Sequence, residues 1–538
     1  MANNKGVEAM NPAAAATTTK LEFLPVPTPS AEGVIWGIIA LGIMLAVCFI
    51  LGWAAKKKWK SFEEYLVGKR DIGPWVTGAA LSASYISGWA FCGSTGIVYN
   101  FGISGMWFAG IFSLVGIIPC IWIAARKTRE FSAKLGATTV PETIGRRFES
   151  KGLQGVVAVS MLYFLFMYSV GQLKAAGSTW YALTGLSPFW CLLLSIFIAW
   201  LYMVLGGYVG NQYAMAVQGF VFAFVGTLIG VMALVHIGGF YNLTENLATQ
   251  NPAFLKVIRP ELPTVGPADL MSNALGASGA AVLFFTMATG FPHNVSRFLG
   301  MGEINKKKDY VKLVFIVWLF TGIPIMLDCS TNGLVARAIY GDELLKIVPW
   351  KADLAAPMLA SAIGGNFMLS LYVAGLFSAA LSTLGGMVFI MSANVTKDII
   401  KNFWPQTSDK SMLVLGYILI ALFLFIPFYF TLVAPPPFLS VFMGMAAAGM
   451  GAVYFFVTAM SYYWKGATKA GAMATVVVGT GISIWGAWAV LVSKPAVIGM
   501  GKFIWMQAII CGLVFYIVGA VTKKPSKELL DKLFPAKK

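Results

Sequence analysis

Ser382 and Thr383 are adjacent hydroxyls in the middle of an apolar run, Ala374 to Met391. Helical spacing puts Ala379, three and four residues earlier, on the same face. The Ala379 carbonyl and the two hydroxyls can therefore converge on one point. Three neutral oxygens there suit a small hard cation that must bind and then leave. The spacing has a second reading, in which these hydroxyls bond their own backbone or a neighbouring helix, the default in membrane helices. Two ionisable residues, Lys174 and Asp328, also fall inside apolar runs. Each costs about 2.5–3.5 kcal/mol at a helix centre, so each needs a partner or a purpose. A Lys174–Asp328 bridge, or Lys174 snorkelling outward, meets that need structurally. Alternatively Lys174 meets the carboxylate of an anionic substrate, or exchanges a proton.

The elements that must position these groups are membrane helices. The chain has 538 residues, 58% hydrophobic and 11% charged, the composition of a polytopic membrane protein. Spans are expected at about 33–55, 74–99, 103–125, 153–183, 187–205, 212–237, 269–291, 310–336, 366–394, 411–433, 438–463, 467–492 and 501–521. The net charge of +17 lies in short loops beside these spans, which points to topology and a lipid bilayer and excludes nucleic acid. Lys56, Lys57, Lys58, Lys60, Arg126, Lys127, Arg129 and Lys306 to Lys308 place those loops in the cytoplasm. That puts the N-terminus outside and the C-terminus inside a plasma membrane, with a bacterial inner membrane expected. Glu142, Arg146 and Arg147 read as the solvated face of an interfacial helix. His293 and Arg297, at the inner end of span seven, read as a structural histidine and an orientation signal. Ala434 to Pro437 is an outer turn, because three prolines cannot continue a helix.

Span two carries Ser82, Ser84 and Ser87 with Gly88 and Gly93; span seven carries Gly276, Gly279 and Gly290 before Pro292. Both are breakable, and broken helices are tolerated in a membrane where they line a cavity or hold something. Spans two to six and seven to eleven each make five crossings. An odd number inverts the second set, the arithmetic of an inverted repeat. The expected architecture is an all-α membrane protein of about thirteen helices with a five-plus-five core and broken helices. Residues 1–31 form a disordered outer tail, and 32–73 a peripheral helix and cytoplasmic lead-in. Residues 74–237 are the first repeat, 238–268 an outer loop and 269–463 the second repeat. Residues 464–522 are peripheral helices, and 523–538 a basic cytoplasmic tail.

The run Tyr65-Leu-Val-Gly-Lys-Arg-Asp-Ile-Gly-Pro-Trp-Val-Thr77, continuing to Ser87-Gly-Trp89, resembles the opening of sodium/solute symporters. So do Thr139 to Phe148, Gly206-Gly-Tyr208, Gly290-Phe-Pro-His293 with Arg297 and Phe298, Ser378 to Thr383, and Asn394 to Asp398. These motifs stand in order and are specific as a set. The resemblance, to the acetate, pantothenate and proline carrier branches, implies a five-plus-five fold and solute uptake driven by sodium. It implies a sodium site built from backbone oxygens of Ala83 and Ile86 with Ala379, Ser382 and Thr383.

Two departures qualify the resemblance. Several members have an acidic or amide side chain where this chain has Tyr85, and many have Asp where it has Met215. A second ion site is thereby put in doubt, and a proton becomes the alternative coupling ion. The family's proline carriers use aromatic residues in span seven, where this chain has Phe284 and Ala288, which disfavours a proline-like solute. Gln172, followed by small residues, is similar to the acetate and pantothenate carriers. A small, anionic monocarboxylate such as acetate or pyruvate is therefore expected, with pantothenate or an amino acid as alternatives. No nucleophile–base constellation, phosphate-cradling loop or metal cluster argues for an enzyme. No motif specifies an oligomeric state.

Overall fold

Long apolar runs satisfy their backbone internally as helices, and a bilayer permits little else. The computed structural model describes residues 23–56, 60–111, 113–304, 306–436 and 439–535. The tail before residue 23, Lys57, Lys58, Pro437 and the last three residues lie outside the described residues. Among the described residues ten helices are long and apolar enough to cross a membrane: Ala31–Ala55, Trp107–Leu135, Lys151–Thr184, Tyr208–His236, Lys307–Tyr340, Lys351–Lys401, Asp409–Val433, Leu439–Tyr462, Lys469–Val492 and Met500–Val521. The three expected spans missing from that set are the short or interrupted ones. Span five is the shorter apolar helix Pro188–Leu201. Spans two and seven are both broken.

The two breaks are built alike. Span two starts with Pro74 in its first turn and runs as a helix to Tyr85. Ile86 then takes extended backbone (φ −80°, ψ 114°), and a π-helical turn resumes at Trp89–Ser94. Span seven is capped by Asn273, whose side chain accepts the Gly276 N–H at 2.7 Å, and runs to Gly290. Phe291 is extended (φ −64°, ψ 120°), as a residue before proline prefers, and Pro292 starts a second piece bent by 43°. Span nine also carries an irregularity. Gly364 and Gly365 leave helical geometry, so its continuous inner part begins at residue 366.

The segments flanking the two broken helices are tied together. Ile72 N–H donates to Gly300 O at 3.3 Å, and Gly302 N–H returns to Ile72 O at 2.9 Å. Arg70 Nη1 donates to Ser132 Oγ (2.9 Å) and Leu299 O (3.0 Å), and its Nη2 to Ala137 O. Burial, then the nearby Arg129 cation, pull the Arg70 pKa below its ordinary value. The guanidinium nonetheless stays charged near neutral pH.

The helix Val140–Arg147 corrects an expectation. Glu142 and Arg147 are buried, not solvated, and Arg146 alone of the three keeps a largely exposed side chain. Glu142 accepts from Thr138 N (2.7 Å) and Thr138 Oγ1 (2.9 Å), and pairs with Arg146 at 2.6 Å. Thr139, the helix cap, donates to Asp398 Oδ1 at 2.6 Å. Charge pattern alone describes a solvated face. The fold instead tucks this helix beneath spans four and nine, where its polar groups find fixed partners.

Candidate functional site

The break in span two withdraws the residue-87 amide from the helical ladder, so the Ala83 carbonyl turns to span nine. Ser382 Oγ donates to Ala83 O at 3.0 Å and to Ala379 O at 2.9 Å. Thr383 Oγ1 does the same at 3.3 and 3.2 Å. Four of the five expected cation-binding residues thus meet at one point, from two segments, all fully buried. Ile86 is the residue at which the helix opens, and its ψ swings its carbonyl off the helix axis. The donor set is two carbonyls and two hydroxyls, neutral and hard, the chemistry of a weakly held monovalent cation. The hydroxyls bond backbone, as the second reading of the spacing expects, and the carbonyls they bond belong to the other residues expected to hold the cation. Met215 lies against Gly386, one turn from Thr383.

A second feature adjoins the break. Trp89 stacks on Phe284 (centroids 5.6 Å, 26°) and meets Phe108 at 5.4 Å and Tyr168 at 6.3 Å. Tyr85, Ile86, Trp89, Ala90, Phe284 and Met287 line a small cavity of about 20 Å³, room for little more than a water. Ser87 Oγ and Tyr168 OH, the latter on the ring that meets Trp89, are 3.4 Å apart. Trp89, Phe108, Tyr168 and Met287 were not singled out by spacing. Only Trp89 had a signal, as the end of the Ser87-Gly-Trp89 motif.

Of the expected solute residues, Tyr85 and Phe284 line this cavity. Ala288, one turn beyond Phe284, faces span three instead, where Cys120 Sγ donates to its carbonyl at 2.8 Å. Gln172 Oε1 accepts the Gly88 N–H at 3.0 Å, and its Nε2 has no hydrogen-bond partner among the described residues. Gly88 must lack a side chain, since a Cβ would stand 2.4 Å from the Ala175 methyl. The Gln172→Met variant keeps most of the volume and strands the Gly88 N–H. A loss of about 1–3 kcal/mol is expected, read as a lower thermal midpoint of the purified protein.

Lys174 is buried, and its ammonium lies 2.7 Å from Asp353 Oδ2 and 2.8 Å from Pro436 O. The expected Lys174–Asp328 bridge does not form. Asp328 instead accepts from Asn332 Nδ2 (2.5 Å) and Tyr372 OH (3.1 Å). Asp353 lies in the short helix Lys351–Leu354, outside every expected span, and folding brings it inward. Arg297 is also buried, not an exposed loop cation. Its Nε donates to His293 O (2.9 Å) and its Nη1 to Gln212 Oε1 (3.2 Å).

Two helices broken at equivalent points, one supplying the Ala83 carbonyl to the continuous part of span nine, define a secondary transporter of the five-plus-five class. The sodium:solute symporter family model matches residues 65–479. The chain belongs to the sodium:solute symporter family and is a sodium-coupled solute symporter in a membrane. It is 24% identical over 528 residues to the osmoregulated proline transporter OpuE of Bacillus subtilis (strain 168), covering 93% of this chain and 99% of that protein. It is 25% identical over 501 residues to a sodium/proline symporter of Staphylococcus aureus, covering 90% and 93%. A solved sodium-coupled sialic acid symporter, 15% identical, superposes with a TM-score of 0.69 over 91% of this chain and 99% of that one.

Proposed function

We propose that the chain couples sodium entry to uptake of a small amino-acid-like solute carrying a carboxylate, with proline the first candidate. The observation that carries this reading is the pairing of an unpartnered Gln172 amide donor with the Trp89–Phe284 face beside the same break. An amide N–H suits a solute carboxylate, and an aromatic face suits a ring or an ammonium. The relatives' names add support, because two of them are proline carriers. Phe284 supplies one of the aromatic faces whose partial absence spoke against proline. A bare monocarboxylate, acetate or pyruvate, is the second reading. The small cavity favours it, whereas the Asp353 pairing of Lys174 removes its expected counter-charge.

Sodium is held in this reading by Ala83, Ile86, Ala379, Ser382 and Thr383. Filling that site fixes the first half of span two against span nine and so orders the adjoining solute cavity. By linkage the solute tightens sodium by the same factor that sodium tightens the solute. When spans two and nine part on the cytoplasmic side, the ion hydrates and both leave. The basic loops support a cytoplasmic position for that side and the C-terminus, with the N-terminus outside a plasma membrane.

The test is uptake of labelled proline, acetate, pyruvate and pantothenate into proteoliposomes under separate sodium and proton gradients. Concentrative, sodium-driven proline uptake is expected. Accumulation of acetate or pyruvate with no proline uptake selects the second reading, and uptake driven by protons alone overturns sodium coupling.

A further inference from the structure

Asp328 is fully buried in the π-helical stretch Ile325–Asn332 of span eight. Its Oδ1 is satisfied by Asn332 and Tyr372, but Asp328 Oδ2 and Asn332 Oδ1 have no hydrogen-bond partner among the described residues. The titratable groups facing it are Tyr372 from span nine, Cys92 from span two and Cys329 from its own turn, none of them basic. Lys174, the cation expected to neutralise it, is held by Asp353. Span six contributes Gly226, where a Cβ would come within 3.2 Å of the Asp328 Cβ, so the missing side chain makes the room.

We propose that Asp328 is a second monovalent-cation site, taken by a proton or a sodium ion, with Asp328 Oδ2 and Asn332 Oδ1 as its open acceptors. An uncompensated carboxylate in a dry interior is costly, and such groups neutralise or pair. Here two neutral donors reach Oδ1, and among the described residues no donor reaches Oδ2 and no protein cation pairs with the group. Two donor-less oxygens in one cluster are the complement of a bound proton or small ion. π-Helical turns inside α-helices recur at functional sites, and this one sets the carboxylate toward spans two and nine.

The placement also links the two sites. Tyr372 precedes Ala379 by two helical turns on span nine, and its hydroxyl reaches both Asp328 and, at 3.5 Å, the Phe91 carbonyl of span two. Spans two and nine also form the Ser382–Thr383 cage. A relative movement that opens one site therefore disturbs the other, and occupancy of each biases the same pair of segments.

Equilibrium binding of radiolabelled sodium to the purified full-length protein, at mildly acidic and mildly alkaline pH, tests this without a solute. If sodium is the occupant, the wild type binds one more sodium per chain than Asp328→Asn. If a proton is, the sodium counts agree, but the wild type takes up one more proton per chain on acidification. Its sodium half-saturation then shifts with pH, while that of Asp328→Asn stays flat. A folded Asp328→Asn with unchanged sodium and proton counts overturns the proposal. Should that variant not fold, Tyr372→Phe decides, with a several-fold shift in half-saturation or pH midpoint supporting the site and no shift overturning it. Ser382→Ala/Thr383→Ala removes the other sodium and leaves the Asp328 cation bound, so failure of one site is distinguishable from failure of the other.

Discussion

Sodium-driven accumulation is expected to be lost in the Ser382→Ala/Thr383→Ala variant, with its sodium half-saturation raised by orders of magnitude. Each hydroxyl lies within 3.0–3.3 Å of the Ala83 carbonyl and 2.9–3.2 Å of the Ala379 carbonyl. An oxygen that contacts a charged partner contributes about 1.5–3 kcal/mol. At about 1.4 kcal/mol per tenfold, one lost ligand raises the half-saturation at least tenfold. Two lost together take it beyond any working sodium concentration. A purely bracing role makes a different prediction. Removing the two hydroxyls would then lower thermal stability by roughly 1 kcal/mol each and leave sodium dependence unchanged. Thr383→Ser keeps the oxygen and separates the two cases. Near-normal sodium dependence is expected of it, measured as initial uptake rate against sodium concentration.

The second large effect belongs to the buried pair. Lys174→Met leaves Asp353 uncompensated, and Asp353→Leu does the same to Lys174. Each is expected to cost about 3–5 kcal/mol and to reduce the yield of folded protein. The Lys174→Met/Asp353→Leu double variant removes both charges, and its thermal midpoint should return close to that of the wild type. The same variant reports on function. With the ammonium committed to Asp353 and Pro436, the double variant is expected to transport. A double variant that is stable yet inactive in the proteoliposome assay would return Lys174 to the solute.

These two effects sit on opposite sides of what the chain discloses in one dimension. Ser382 and Thr383 were legible because their partner on span nine is Ala379, one turn away, and a helix fixes that geometry. The breaks at Ile86 and Phe291 were legible because glycine, serine and proline weaken a helix locally. Asp353 was not, since it lies outside every apolar run and nothing in its neighbours marks it as buried. Glu142 and Arg147 misled for the same reason, because mixed charge describes a surface until another layer covers it.

The amino-acid sequence by itself determined the class, most of the spans, the two breakable helices and the shared face of Ala379, Ser382 and Thr383, whereas Ala83 entered through the family resemblance. Hydropathy, helix breaking and the i, i+3 and i+4 periodicity act over a few residues and need no fold to be read. Only the tertiary structure decided that Lys174 meets Asp353, that Trp89 stacks on Phe284, and that Asp328 keeps one oxygen without a donor among the described residues. Those are contacts between segments distant in the chain, and which side chain neutralises a buried charge depends on what packing brings within reach.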